Sequence, residues 1–153
     1  MTRNKLNELL NKVEREVEEI KVRTEKVVGA ANEIARSSYN SPSQSGDRYH
    51  SQSQADLAKS SLINMQDFQQ MLKQSLERDL PESIAPICYV ELIFNDGETS
   101  SFFYVEESPS VISFKFVSSS SPLGLAIIGK RISEEFELML ENKSRKGIIS
   151  SIE

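Results

Sequence analysis

Cysteine, histidine and tryptophan are nearly missing from this chain of 153 residues, which has one cysteine, one histidine and no tryptophan. A lone cysteine excludes a disulfide within the chain, and one cysteine with one histidine excludes the usual four-ligand structural zinc site. No apolar run is long enough to span a bilayer, and the first residues lack the apolar core of a signal peptide. We therefore expect a cytoplasmic protein with no membrane contact.

The motifs of common catalytic sites are also missing. The chain has no phosphate-binding loop, no paired-carboxylate motif and no Ser/His/Asp arrangement with support from its surroundings. Cys88 lies in the apolar run ICYVELIF, which favours a buried core thiol over a nucleophile. Nothing in these patterns indicates an enzyme.

The charge is negative overall but unevenly distributed. The net charge of −5 argues against simple coating of nucleic acid. Residues 21–60 nevertheless carry six basic and four acidic side chains, a net of +2, so the remainder carries −7. Two interpretations stay open: scatter on solvated helix faces, or a helical segment that meets something negative.

The first forty residues follow a heptad pattern that predicts one long helix. A helix over residues 2–38 would be about 55 Å long. Its seam residues shrink toward the far end, so the helix pair is expected to narrow there. The two seams are Leu6, Val13, Ile20, Val27 and Ile34, and Leu10, Val17, Thr24, Ala31 and Ser38.

A polar break and a second helical pattern follow. Pro42 and Gly46 interrupt the first helix within SSYNSPSQSGD, and Pro81 ends the second pattern. Together they predict an antiparallel coiled-coil hairpin over residues 1–80, with its tip near residues 40–50. The alternative is a parallel dimer of the first helix, but the second seam offers a partner within the chain and favours a monomer. That seam is Ala58, Leu62, Met65, Gln69, Leu72 and Leu76.

Residues 86–153 change to the alternating pattern of strands. We expect a small α+β domain with about five strands and one short helix, including a hairpin turn at NDGE. Ser120 or Ser121 would cap the helix, Pro122 would begin it and Gly129 would stop it. The expected core is Leu92, Phe94, Phe103, Phe114, Phe116, Leu125, Ile128, Phe136, Leu138 and Ile149.

The segment SSPLGLAIIGKRISEEFEL, residues 120–138, resembles the C-terminal signature of the Gre family of bacterial transcription elongation factors. The order of a helical hairpin and a small sheet domain agrees with that family. The resemblance implies an FKBP-like antiparallel sheet domain that docks at the rim of the secondary channel of RNA polymerase. The hairpin would pass down this channel and promote cleavage of backtracked transcripts.

The resemblance also implies how the reaction is shared. The polymerase would carry the chemistry, so the factor itself would be neither an enzyme nor the stable holder of a cofactor. A tip carboxylate would share the Mg²⁺ of the polymerase active centre. Contact with nascent RNA, and any DNA binding, would occur only within the polymerase complex.

At the hairpin tip the family places Gly-Asp, with a glutamate three residues after the aspartate. Gly46 and Asp47 match, which makes Asp47 the candidate carboxylate and magnesium ligand, but His50 stands at the glutamate position. Arg48 and Tyr49 complete the tip. Asp56 does not replace the glutamate, because nine residues of helix place it about 13 Å beyond Asp47.

Helix capping alone could also explain three of these residues. An aspartate after glycine at a helix start commonly caps the helix, and both roles can coexist in Asp47. Ser121 and Pro122 have the same capping interpretation, and the resemblance adds that their segment faces the polymerase rim.

Three functions therefore remain. The first is a working Gre-like factor in which Asp47 supplies the essential carboxylate. The second is a Gre-like regulator that occupies the channel with weak or no stimulation of cleavage, because His50 is a poor magnesium ligand. The third, a coiled-coil adaptor or chaperone-like protein, would share only the sheet domain.

Overall fold

The computed structural model describes residues 3–37, 45–109 and 112–153 and confirms the predicted fold class. A helical hairpin is followed by a small sheet with one short helix. The elements are α1 (Asn4–Ser37), α2 (Ser45–Glu77), β1 (Cys88–Phe94), β2 (Thr99–Val105), β3 (Phe116–Ser118), α3 (Pro122–Ile127), β4 (Glu135–Leu140) and β5 (Lys143–Ile152). Within the described ranges, none of the helices is long and apolar enough to cross a membrane.

The chain forms two compact units, each described by itself. One contains residues 11–70, the greater part of both long helices. The other joins residues 1–10 to residues 71–153, so it contains the open end of the hairpin together with the sheet. The domain boundaries predicted at residues 80 and 86 stay a prediction.

In the first unit, α1 and α2 bury apolar stripes at helical spacing. Thr24 is buried in the stripe of α1, and its hydroxyl donates to the carbonyl oxygen of Ala58 at 3.4 Å. This bond joins the two seams within one chain, as the sequence predicts. The buried side chains are Val13, Val17, Ile20, Thr24 and Ala31 of α1, and Ala55, Met65 and Phe68 of α2.

The seam differs from the strict heptad prediction at three places. Leu9 is fully buried in place of Leu10, which is half-buried. On α2, Phe68 and Ser75 lie deeper than their neighbours Gln69 and Leu76. An α-helix has 3.6 residues per turn, whereas a strict heptad assumes 3.5. The next buried residue can therefore lie three or four positions further on, and the buried stripe can depart from the heptad by one residue.

In the second unit, hydrogen bonds link the helix ends to the sheet segment. The Arg3 guanidinium donates to the carbonyl oxygen of Ser75. The Ser75 hydroxyl donates to the carbonyl oxygen of Ile87 at 2.8 Å. The Lys5 backbone N–H donates to the Glu153 carboxylate at 3.3 Å. These contacts satisfy polar groups at the ends of both long helices, where intrahelical partners are missing.

The five strands of the described sheet follow the order β3-β2-β1-β5-β4. Three pairings are antiparallel and the β2–β3 pairing is parallel, so the sheet is mixed. The predicted NDGE turn joins β1 to β2, with Gly97 at a φ of 87°. The Phe94 N–H donates to the Glu98 carbonyl at 2.8 Å and closes this hairpin.

The core of this unit lies between the sheet and α3, but three predicted core residues are exposed. Phe114 is at the surface, and Leu125 and Ile128 are 63% and 51% exposed. Because α3 has only six residues, it buries one narrow face through Gly124 and Ile127. The buried cluster is Ile84, Cys88, Val90, Leu92, Phe94, Phe102, Tyr104, Ile127, Phe136, Ile149 and Ile152.

Two helical glycines should respond oppositely to replacement by alanine. A Cβ on Gly124 would overlap the carbonyl oxygen of Ser118, so Gly124→Ala is expected to lower the free energy of unfolding by about 3 kcal/mol. Gly29 has open space around the same position, so Gly29→Ala should raise that free energy by about 0.5–1 kcal/mol. Urea unfolding of both variants measures the difference. Equal effects would contradict the close packing of Gly124.

Candidate functional site

The structure describes the hairpin tip only in part. Residues 38–44 lie outside the described residues. The backbone of residues 45–49 forms the first turn of α2, but the side chains of Asp47, Arg48 and Tyr49 are not among those described. The roles predicted for these residues and for Gly46 therefore stay predictions.

His50 is the one residue of the predicted tip site whose side chain is described. It is exposed on α2, and its Nε2 atom lies 3.2 Å from the Nε2 atom of Gln54, one helical turn later. This polar pair ties the imidazole to the helix that carries it. The sequence places a histidine here, but the pairing with Gln54 was not predicted, although i,i+4 spacing could have indicated it.

A second polar pair follows at the same spacing. The Gln52 amide donates to the Asp56 carboxylate at 3.2 Å. Asp56 therefore already has a partner on its own helix. In the part of the chain that the structure describes, no group of three or more His, Cys, Asp or Glu side chains could hold a metal ion.

The predicted docking residues Ser121 and Pro122 begin α3. Ser121 is the N-cap: its hydroxyl oxygen accepts a hydrogen bond from the Gly124 N–H at 3.0 Å. The same hydroxyl donates to the Ser118 carbonyl at 2.7 Å. Pro122 occupies the first helical position, and Gly129 follows the helix at a φ of 74°. The predicted capping chemistry is confirmed, while the docking role stays a prediction.

Backbone and side-chain contacts hold α3 in a defined orientation. The buried Tyr104 hydroxyl donates to the Gly124 carbonyl at 3.1 Å, and burial raises the pKa of this phenol. At the far end of α3, Gly129 N–H donates to the Ile84 carbonyl at 2.9 Å, and Ile84 N–H donates to the Lys130 carbonyl at 2.8 Å. Both ends of the short helix are thus tied to neighbouring segments.

This orientation gives α3 an exposed apolar face. Leu125 of α3 and Ile128, the C-cap that follows α3, are more than half exposed, and Ile132, four residues further along the chain, is also half exposed. Single exposed aliphatic side chains are normal on a protein surface, but three large ones within eight residues are more than is usual. The sequence alone assigned Leu125 and Ile128 to the core, since composition does not show which side of a short helix faces inward.

Cys88 is not a reactive group. Its side chain is fully buried in the sheet core, and burial raises the pKa of the thiol to about 11. The nucleophilic thiolate is therefore scarce at neutral pH. The predicted core role is confirmed.

Arg145 forms the main charge cluster of the sheet. Its guanidinium lies 3.8 Å from the centre of the Phe94 ring and donates to Glu98 at 2.6 Å and to Asp96 at 3.2 Å. The hydrogen bond to Glu98 is the main reason that the pKa of Arg145 is raised. The cluster joins the β1–β2 turn to β5, which is a structural role.

No protein-family model matches the chain, and neither does any curated protein. Solved structures that are similar to it include those of transcription factors. Gfh1 of Thermus aquaticus is 20% identical, with a TM-score of 0.42 over 93% of this chain and 92% of that chain. GreA factor homolog 1 (Gfh1) of Thermus thermophilus is 19% identical, with a TM-score of 0.40 over 94% of each.

A prokaryotic transcription elongation factor GreA/GreB from Nitrosomonas europaea is 17% identical, with a TM-score of 0.39 over 55% of this chain and 77% of that chain. These neighbours are the kind of factor that residues 120–138 resemble. At such identities and TM-scores the likeness assigns no function by itself, so the functional proposal rests on this chain's own residues.

The Ser121 cap should contribute measurably to stability. Ser121→Ala removes the acceptor for the Gly124 N–H, so we expect a loss of about 1 kcal/mol in the free energy of unfolding. Ser120→Ala is the matched control, because the Ser120 side chain is exposed and its hydroxyl contacts only that of Ser118. Equal losses in the two variants, measured in urea, would argue against the cap.

Proposed function

We propose that this protein is a Gre-like transcription factor that binds RNA polymerase through the sheet domain and places the hairpin tip in the secondary channel. In this role it promotes cleavage of the transcript in backtracked complexes. The protein acts in the cytoplasm as a monomer, and it meets RNA and DNA only within the polymerase complex.

The observation that carries this proposal is the exposed apolar face of α3. The face lies within residues 120–138, the segment that resembles the Gre signature, and it follows directly on the Ser121 cap and Pro122. Aliphatic side chains that a monomer leaves exposed next to one another are typical of protein–protein contacts. Leu125 and Ile128 thereby extend the docking surface predicted at Ser121 and Pro122.

The long helices are suited to placing the hairpin tip in the secondary channel. Helices of 34 and 33 residues are each about 50 Å long, and their paired seams make them stiffer than a single helix. Basic residues on the unit of residues 11–70, among them Lys21, Arg23 and Lys59, are exposed. Within this unit, residues 21–60 carry a net charge of +2, which favours an environment that contains nucleic acid phosphate.

The chemistry would belong to the polymerase. Asp47 would offer a hard carboxylate oxygen to the Mg²⁺ of the polymerase active centre, which matches the oxygen ligands that this cation prefers. The factor would then stimulate a reaction without being an enzyme and without holding a metal of its own.

His50 favours a second candidate, in which the protein occupies the channel and regulates polymerase with weak or no cleavage. The imidazole stands where the resembling family has its second acid, and it is paired with Gln54. Neutral imidazole is a poor ligand for Mg²⁺ compared with a carboxylate. A coiled-coil adaptor remains the third candidate and predicts no binding to polymerase.

The α3 face should control binding to polymerase. The double change Leu125→Ser and Ile128→Ser is expected to weaken binding about tenfold or more, because two side chains lose an apolar contact. Stability should change little, since both residues are exposed in the free protein. Met139→Ser is the control: Met139 is 70% exposed on β4, outside the proposed face.

Fluorescence anisotropy of labelled protein with purified polymerase measures both affinities. Equal weakening by the double change and by Met139→Ser would contradict docking through α3. Failure of the unchanged protein to bind at micromolar concentration would favour the adaptor.

Transcript cleavage distinguishes the first two candidates. With Mg²⁺ and a backtracked elongation complex, we expect the protein to accelerate release of short 3′ RNA fragments and Asp47→Ala to abolish this effect. Asp56→Ala is the control, because Asp56 is paired with Gln52 further along α2. An inactive protein that gains cleavage through His50→Glu would instead establish channel occupancy as its function.

A further inference from the structure

The contact between His50 and Gln54 bears on which ring nitrogen carries the proton. The two Nε2 atoms are 3.2 Å apart, and both side chains are exposed on α2. An amide nitrogen donates and does not accept. With the Gln54 amide nitrogen assigned to face the ring, the imidazole Nε2 accepts, and in the neutral ring the proton is then on Nδ1.

This tautomer changes what His50 can bind. The Nε2 lone pair is used by Gln54, and Nδ1–H is a donor that no hydrogen bond joins to a residue in the described part of the chain. In this tautomer Nδ1–H has no lone pair for a cation, and the Nε2 lone pair faces Gln54. An N–H donor instead suits an anionic oxygen.

We propose that Gln54 is a positioning residue that holds His50 as the Nδ1–H tautomer, and that this N–H donates to a phosphate oxygen of nucleic acid in the polymerase complex. The phosphate contact rests on the proposed function, because only a tip inside the channel meets a transcript. The tautomer itself is a property of the free protein. The net charge of +2 over residues 21–60 agrees with a phosphate partner.

A matched control lies on the same helix. Gln52 and Asp56 have the same i,i+4 spacing and the same 3.2 Å separation as the His50 pair, but they contain no imidazole. Gln52→Leu thus removes an equivalent amide from an equivalent surface position without changing the partner of His50.

Nitrogen-15 NMR of the free, full-length protein tests the tautomer. His50 is the only histidine, so every imidazole signal belongs to it. The spectra are recorded at about pH 8.5, where free imidazole is neutral. We expect the Nδ1–H tautomer to predominate in the unchanged protein and in Gln52→Leu, and Gln54→Leu to give a mixture of both tautomers.

Gln54→Glu sharpens this test, because a carboxylate only accepts and should invert the ring to Nε2–H. Circular dichroism verifies that each variant keeps its helix content. A predominant Nε2–H tautomer in the unchanged protein would overturn the assignment, since the Gln54 oxygen would then be the atom that faces the ring. Identical spectra for Gln54→Leu and the unchanged protein would also overturn it.

Binding to two forms of polymerase tests the phosphate contact. His50→Phe is expected to weaken binding to an elongation complex about fivefold, the value of one hydrogen bond, and to leave binding to polymerase without nucleic acid unchanged. Gln54→Glu should behave like His50→Phe, and Gln52→Leu like the unchanged protein. His50→Arg, which keeps a donor, should recover part of the affinity.

The other outcomes of these binding experiments separate the phosphate contact from the proposed function. Equal affinity of His50→Phe and the unchanged protein for the elongation complex, or equal weakening with both polymerase forms, would overturn the phosphate contact. Failure of the unchanged protein to bind either form would overturn the proposed function and this contact together. The NMR result decides the role of Gln54 in all of these cases.

Discussion

The close approach of Gly124 to the carbonyl of Ser118 decides which surface the sheet domain presents. At Gly124 the backbone of α3 lies so close to the Ser118 carbonyl that there is no room for a Cβ atom. Rotation of α3 about its axis would bring a residue with a side chain into this position, and that side chain would overlap the Ser118 backbone. The Tyr104 hydroxyl fixes the same residue from the core side through the Gly124 carbonyl. With Gly124 and Ile127 inward, the other side of α3 must point to solvent, and the proposed docking face follows from this packing.

The long helices depend on a different kind of constraint. Their seam consists of residues that alternate by three and four positions, and it includes a buried threonine whose hydroxyl bonds to the opposite helix. The Thr24 hydroxyl reaches the Ala58 carbonyl only in the observed alignment of the two helices, so this bond favours that register. The outer faces of both helices carry charged and amide side chains together with exposed apolar residues such as Val22, Leu57 and Ile63.

Local chemistry could be predicted from the sequence, while the direction of side chains often could not. The cap at Ser121, the first-turn proline and the stop at Gly129 each depend on a few adjacent residues, and all three are confirmed. The strict heptad assigned Leu10 to the seam, where the structure buries Leu9, because the choice between adjacent leucines depends on the opposing helix.

Leu125 and Ile128 were assigned to the core because they are apolar and lie in a short helix. Their exposure follows from the contact at Gly124, which involves residues six positions away and cannot be seen in a local pattern. The pairing of His50 with Gln54 could be predicted only in part. Its i,i+4 spacing is visible in the sequence, but the atoms that face each other are not. The side chain of Asp47 lies outside the described residues, so its site role stays a prediction.

The division of α3 into two faces has a consequence for how such a protein can change over generations. Residues that hold the helix in place and residues that a partner would contact are different residues of one short segment, α3 and the Ile128 cap that follows it. A substitution at Leu125 or Ile128 can alter the partner surface with little cost to folding, whereas Gly124 is constrained by packing alone. Partner preference can therefore drift while the fold is retained, and distant relatives can share the architecture with few identical residues.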